Sequence, residues 1–340
     1  MQISTRASTR RASRLRVGVV VGNETWRFFQ QICTYLGRYT NLSVFDPPGG
    51  FERQNRSLRR NLRTFLKGQD IVFFEWSGQL LALATELETN CKIVTRLHRY
   101  ELFTWAKTIC WQRVNAVIFV NAFLQEKFRR SYWRTHPRKM IVIPEGVSTV
   151  RFRPMGLGLT YRIGTLCWIT PRKRIYELIL CFSELREQHP KLRLSIAGAR
   201  RAAFLDYYDA LLALVDKLGL SSRVELVGQP QHVPAWYRTI DLFVSNSYSE
   251  GVHVSLLEAM SSARHCLSHA WQGVETVLPP DQIYLTDREL QEKILAFYAA
   301  PRHVRERARK RMRQEVCTNY DIRIVQQEIL SLLTEVAQSC

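Results

Sequence analysis

Short β-branched apolar runs alternate with stretches of helical periodicity along most of this chain, and that alternation admits few folds other than layered α/β ones. Residues 16–22 (RVGVVVG) have the character of a buried strand, and 24–39 follow with Trp26, Phe29, Ile32, Cys33 and Leu36 at helical spacing. A turn-rich segment begins at Val44 and Phe45 and ends in Pro47, Pro48, Gly49 and Gly50. A basic helix is expected over 57–67, and 70–74 (DIVFF) reads as the next strand. Further strands fit 92–95, 116–120 and 140–143. The rhythm resumes after Pro154, with strands at 162–167, 193–197, 224–226, 242–245 and 266–268 and helices over 174–188, 204–218, 233–239 and 254–262. Gly219 is placed to end the second of these helices, because glycine accepts a left-handed conformation. Parallel strands joined by crossover helices form a sheet covered on both faces. The expectation is therefore two α/β domains, 15–143 and 155–310, joined by a proline-bounded connector, 144–154 (PEGVSTVRFRP), suited to a hinge. Ligands of open parallel sheets bind beyond the strand C-termini, so two such domains facing each other make a cleft.

Composition narrows the function classes. With 340 residues and 46% hydrophobic content the chain can bury two ordinary cores. Its 49 Lys and Arg against 30 Asp and Glu leave a net charge of +19, and only five of those charges, Arg6, Arg10, Arg11, Arg14 and Arg16, come from the N-terminal leader, whose first fourteen residues carry no acid. That leader resembles a transit peptide, but a disordered basic tail is the more economical reading. A basic body favours anionic partners: phosphorylated small molecules, anionic lipid surfaces or nucleic acid. The eight cysteines are scattered without a CxxC pair, which fits buried reduced thiols and neither a disulfide scaffold nor a zinc site. His265 and His269 sit four apart on an expected strand, which holds them about 13 Å apart, so no metal site is expected there. No apolar run approaches the length of a membrane span.

Residues 248–260 (YSEGVHVSLLEAM) carry the most chemistry. A loop with Glu250 and Gly251 runs into an amphipathic helix bearing Glu258. Unpaired N–H groups at a helix N-terminus, with the positive end of its dipole, can receive a diphosphate at Gly251, Val252 and His253, and Glu258 can reach ribose hydroxyls. Taken alone, the same peptide also fits a Glu250 that caps the helix and a Glu258 that is an ordinary charged helix residue.

Three features occur together in order: the segment IVIPEGVSTVRFRP, the PRKR run at 171–174, and the two glutamates Glu250 and Glu258. With them the C-terminal half is similar to the retaining GT-B glycosyltransferases, the large family that includes sucrose synthase and many bacterial mannosyl- and glucosyltransferases. The resemblance implies two Rossmann-like domains facing a cleft, the second holding the nucleotide sugar, with the last helix, within 311–340, crossing back to the N-terminal domain. It also implies that Glu250 and the backbone of Gly251, Val252 and His253 meet the donor sugar and diphosphate, and that Glu258 binds the ribose. Lys173, with Arg172 and Arg174 beside it, would neutralise the leaving diphosphate, so that no metal is required. His98, in TRLHRYELF (95–103), would lie near the transferred sugar and act by positioning and electrostatics, not as a base. Two departures stand out: Cys167 occupies the place of an arginine usual in the family, a loss Arg172 or Arg174 could cover, and His253 replaces a common glycine. His253 is either a surface loop residue or a hydrogen-bond donor to the ligand.

Other motifs leave their alternatives open. Trp271, in WQGVE, either stacks on a base or packs in the core, and Glu275 caps the next turn. Gly18 and Gly22 do not make a dinucleotide fingerprint, which argues against a nicotinamide oxidoreductase. The resulting expectation is a retaining hexosyltransferase using a nucleoside diphosphate sugar, without metal or other cofactor. Cationic helices at 53–67 and 127–139 suggest a glycan or lipid-linked acceptor and a cytoplasmic site at the inner membrane face, although charge runs are commonly solvated helix faces. Cys167 motivates an alternative, an inactive sugar-nucleotide-binding or assembly subunit. The +19 charge motivates a nucleic-acid-binding protein, against which stands the lack of aromatic residues interleaved with the basic clusters.

Overall fold

The computed structural model describes residues 14–21, 26, 29–47, 55–155 and 158–339. Most of the expected basic leader, Gly22, the opening of the first expected helix and the turn at Pro48, Gly49 and Gly50 lie outside the described residues. The chain divides into two compact units. One holds the chain through Ile118 with Arg129–Ile141 and the residues from Glu328 onward; the other holds Phe119–Phe128 and Val142–Gln327.

In chain order the first sheet and its helices are β1 (Arg16–Val20), α1 (Gln30–Tyr39), β2 (Asn41–Phe45), α2 (Arg56–Lys67), β3 (Ile71–Phe74), α3 (Gln79–Glu86), β4 (Lys92–Leu97), α4 (Arg99–Thr104), β5 (Ala116–Phe119), α5 (Ala122–Ser131) and β6 (Lys139–Val142). The strand order is β2-β1-β3-β4-β5-β6, which reverses direction between β1 and β3. Strand β3 (IVFF) is buried at every position, the mark of a central parallel strand covered on both faces. Asn55 caps α2 by accepting Ser57 and Leu58 N–H at 3.0 and 3.1 Å, and Leu58, Leu62 and Leu66 form the buried stripe of that helix. Sequence patterning missed β2, an edge strand with no fully buried residue in which Asn41 and Val44 face solvent. The expected cationic helix over 127–139 is corrected: α5 stops at Ser131, turns fill the interval, and Lys139 begins a strand.

The second unit continues with β7 (Arg162–Leu166), α6 (Ile175–Gln188), β8 (Arg193–Ala197), α7 (Leu205–Lys217), β9 (Val224–Gly228), α8 (Val233–Arg238), β10 (Leu242–Ser245), α9 (Val254–Ser261), β11 (His265–His269), β12 (Ile283–Tyr284), α10 (Asp287–Ala299), α11 (Arg302–Asn319) and α12 (Ile322–Gln338). Its sheet, ordered β12-β11-β10-β7-β8-β9, is parallel throughout. The order reverses between β7 and β10, so the loops leaving these two strands diverge and open a crevice at their C-terminal ends. Buried Asp241 ties the start of the unit to β10 by accepting Thr160 N–H at 2.9 Å and Arg162 N–H at 3.2 Å. The connector is stitched down as well. Val147 exchanges backbone bonds of 2.9 and 3.0 Å with Tyr320 and Ile322, and a Cβ at Gly146 would stand 2.9 Å from the Ile322 Cα, so only glycine fits there.

Candidate functional site

The crevice between β7 and β10 receives one loop from each strand. After β7 comes Cys167, then a 3-10 turn at Pro171–Lys173, and Arg174 in the left-handed region (φ 52°) starts α6. After β10 the chain runs through Asn246–Val252 to α9, whose N-cap is His253. Backbone and side chains lock the loops together: Tyr248 N–H donates to Arg172 O at 3.0 Å, and Asn246 Nδ2 donates to Arg174 O at 2.9 Å. Tyr284 fixes Asn246 in turn through a 2.7 Å bond to Oδ1.

This locking brings Lys173 and Glu250 together. Both are buried, at 6% and 8% exposure, and Lys173 Nζ donates directly to Glu250 Oε1. Arg172, more exposed, places Nη1 3.0 Å from the other carboxylate oxygen and also donates to Ser249 O. Burial opposes charge on Glu250, but the charges of Lys173 and Arg172 outweigh it and hold the carboxyl well below its usual range. Two cations therefore converge on one carboxylate beside a helix N-terminus, an arrangement that can exchange part of its internal pairing for the oxygens of a diphosphate.

Glu250 does not cap α9, because its carboxylate is spent on Lys173 and Arg172. Arg174, expected beside Lys173, points elsewhere: it lies 3.3 Å from Asp287 Oδ1 and stacks over Tyr248 at 5.1 Å. Of the two arginines that could stand in for the one absent at Cys167, the geometry selects Arg172. Cys167 itself is buried, and burial pushes its thiol up to about 11, so it is neutral. His253 is neither a surface residue nor a side-chain ligand donor, since its ring is buried. Its Nε2 donates to Leu166 O at 3.3 Å, so Nδ1 accepts from Ser245 Oγ at 2.7 Å. Burial and the Lys173 charge push this imidazole down to about 3, which keeps it neutral and makes it a pin between β7, β10 and α9. Its backbone, with those of Gly251 and Val252, still forms the entry to the helix.

Glu258 lies in α9, where it accepts the Tyr237 hydroxyl at 3.0 Å. Burial raises its carboxyl to about 7, against weaker opposing effects of Tyr237 and Arg151. A carboxylate poised there titrates near neutrality. Trp271 is packed at 1% exposure and donates to Ser268 Oγ at 3.0 Å, which settles its role as core. Glu275 accepts the Gly273 N–H at 3.2 Å, a local turn cap. His265 stacks on Phe297 at 4.4 Å, and the described residues contain no cluster of three or more metal-ligating side chains.

In the other unit His98 follows β4 and begins α4. Glu75, which sequence reasoning missed, approaches its ring to 3.7 Å and pairs with Arg96. The signal available was an acidic residue set directly after the apolar run IVFF.

Comparison with known proteins agrees with this layout. Residues 160–299 match the family described as glycosyl transferases group 1. A lipopolysaccharide core biosynthesis mannosyltransferase of Rhizobium leguminosarum bv. viciae, LpcC, is 29% identical over 131 residues, 36% of this chain and 37% of that protein. The match thus spans little more than a third of that relative's length. Among solved structures, Anabaena HepE, determined with UDP and glucose, superimposes with a TM-score of 0.79 at 15% identity over 94% of this chain and all of that one. A glycosyltransferase from Rickettsia africae ESF-5 gives 0.79 at 14% identity over 96% of this chain and all of that one. The fold is the GT-B fold expected from the sequence.

Proposed function

We propose that this chain, a GT-B protein whose residues 160–299 form a glycosyl transferases group 1 domain, moves a sugar from a nucleoside diphosphate donor to a glycan or lipid-linked acceptor with retention of configuration. The observation that carries this reading is the buried Lys173–Glu250 pair with Arg172 against it, set at the switch point of a parallel sheet beside the N-terminus of α9. On donor binding the diphosphate oxygens take N–H groups from Lys173, Arg172 and the first amides of α9, and Glu258 accepts the ribose hydroxyls. As the bond from the anomeric carbon to the diphosphate oxygen breaks, negative charge grows on the leaving group, and the two cations stabilise it without a metal. His98 contributes positioning near the sugar. UDP is the first nucleotide to try, since the structure of HepE was determined with it.

The cationic surface of the N-terminal unit supports peripheral binding to an anionic membrane on the cytoplasmic side, where a lipid-linked acceptor would be met. A second reading has one observation in its favour: with Cys167 where the family resemblance calls for a cation, the chain would hold a nucleotide sugar without turning it over. Donor hydrolysis and transfer assayed over a panel of UDP- and GDP-sugars separate the two. Turnover of any donor supports the enzyme. Nucleotide binding without turnover supports the binding subunit, and neither binding nor turnover removes both.

A further inference from the structure

Trp271 is packed away from any ligand, but Trp168, two residues past the end of β7, is 39% exposed. Backbone pairing continues beyond the strands here. Cys167 N–H donates to Ala197 O and Ile169 N–H to Ala199 O, both at 3.1 Å, so the segments leaving β7 and β8 run side by side past the C-terminal edge of the sheet. Alternation sets which way each side chain turns. Cys167 and Ile169 pack into the core cluster that holds Leu178 of α6 and Leu211 of α7, whereas Leu166 packs with Tyr237 of α8 and Leu256 of α9, so Trp168 stands on the α8–α9 side. Glu258 and the N-terminus of α9 occupy that side too. The His253 ring, at the N-cap of α9, donates to Leu166 O at 3.3 Å, and Trp168 follows about 7 Å further along the chain.

Two arginines follow β8, and they serve different neighbours. Arg200 lies over the Tyr208 ring of α7 at 5.3 Å, and Arg201 lies over the Trp168 ring at 4.3 Å. Both Arg201 and its tryptophan are open to solvent, and among the described residues no carboxylate pairs with Arg201. A guanidinium laid on an aromatic face spends its own face there and keeps its N–H groups, which point outward in the guanidinium plane. With a diphosphate at the α9 N-terminus and a ribose at Glu258, the remaining part of such a ligand is its base. A fixed fork of N–H donors matches a base edge that carries a carbonyl oxygen, as uracil and guanine do and adenine does not.

We propose that Arg201, held on Trp168, reads the nucleobase of the donor: its N–H groups donate to a carbonyl oxygen of uracil or guanine, and adenine is discriminated against. This rests on the reading of the crevice as a nucleoside diphosphate site. Arg201 touches the base, and Trp168 is a positioning residue that acts through Arg201.

The test is calorimetric titration with UDP, GDP, ADP and inorganic pyrophosphate, the last carrying the charge without a base. The wild type should bind UDP or GDP at least about 10-fold more tightly than ADP. Arg201→Gln should weaken the favoured nucleotide by about 10-fold while ADP and pyrophosphate change by less than about threefold, so that the preference collapses. Trp168→Leu should reproduce part of that collapse, Trp168→Phe, which keeps a ring under the guanidinium, should recover it, and Arg200→Gln should bind as the wild type does. Both altered side chains are exposed or half-buried, so the variants fold, and an unchanged thermal midpoint confirms it. Pyrophosphate weakened as much as UDP would make Arg201 a general anion contact and overturn the proposal. Equal wild-type affinity for ADP overturns it too, as does an Arg201→Gln variant with unaltered affinities. A wild type that binds UDP while Arg201→Gln changes nothing defeats this proposal alone, whereas a wild type that binds no nucleotide defeats it together with the nucleoside diphosphate reading.

Discussion

Lys173 is a lysine that could not be buried without Glu250, and Glu250 could not stay ionised without Lys173 and Arg172. A group held this way is suited to charge that develops elsewhere. Lys173→Ala should lower turnover by roughly 100-fold or more, the scale for losing one preorganised charge stabiliser, with a smaller change in donor affinity. Arg172→Ala should show a related loss, whereas Arg174→Ala and Cys167→Ser should leave kcat within about twofold, because Arg174 serves Asp287 and the Cys167 thiol is neutral. Steady-state kinetics on the four variants checks the ranking, and equal losses at Arg172 and Arg174 would contradict it. Glu258 gives a pH dependence of definite sign. Its native carboxyl titrates at about 7, above an ordinary glutamate, so between the two values the native state holds the extra proton. Its contribution then favours folding below that window and is lost as pH rises through 7. Ribose hydroxyls need the ionised form, so nucleotide affinity should instead rise from pH 6 to pH 8 with release of up to about half a proton at pH 7. Calorimetry in buffers of different ionisation enthalpy reads this release. Glu258→Ala should abolish it and cost about 1 to 3 kcal/mol of UDP or GDP binding, and an unchanged affinity would return Glu258 to an ordinary helix residue. Both glutamates and Lys173 were legible in sequence because they sit in a spaced motif. The inward turn of His253 was not, since it depends on Ser245 and Leu166 O arriving from two other strands.

At the level of elements, legibility followed burial geometry. Strands β7 to β11 fall within about two residues of their expected ends, because short β-branched runs between helices have few alternative readings, whereas the two-residue β12 was not expected. Helix α3 lacked a readable face: six of its eight residues are buried, which removes the polar side that periodicity detects. Helix α10 went unread despite a signal in plain view, the Thr286/Glu289 capping box in which Glu289 N–H donates to Thr286 Oγ1 at 3.2 Å. Close approaches between backbone segments were invisible as well. Gly198, at φ 139°, has its Cβ position 1.6 Å from Cys167 O, so the loops leaving β7 and β8 touch through bare backbone. Gly198→Ala must displace the segment that leads to Lys173, and we expect a loss of roughly 2 kcal/mol or more in chemical denaturation together with weakened nucleotide binding. Gly219→Ala, left-handed but with open space around it, should cost only about 1 kcal/mol and leave binding intact. Equal effects at the two glycines would show that backbone conformation alone, and not the contact with Cys167, sets the penalty.

For the molecule as a whole the governing quantity is a net charge of +19, which attracts anions without selecting among them. No helix among the described residues is long and apolar enough to cross a membrane. Helix α2 supplies a directed part of that charge. Its leucines face inward, it contains no acid, and Arg56, Arg60, Arg63 and Lys67 are exposed at spacings of four, three and four along one face. Arg59, beside them, is already paired with Glu86 at 2.9 Å and adds less to the outward field. A stripe of this kind binds through screened Coulomb attraction worth about 1 kcal/mol for each cation near an anionic bilayer, and the attraction fades as the Debye length falls from about 8 Å at physiological salt to about 3 Å at 1 M. Co-sedimentation with vesicles rich in anionic lipid should therefore fall steeply with added salt, and reversing Arg56, Arg60 and Arg63 to Glu should abolish it while the thermal midpoint, set by the buried leucines, changes little. Turnover of a water-soluble acceptor should survive the same triple change, because the stripe lies outside the Lys173–Glu250 site. Equal binding to neutral vesicles would replace charge with apolar insertion as the cause. Absence of binding to anionic vesicles would remove the membrane and leave the charge to a soluble phosphorylated or glycan partner.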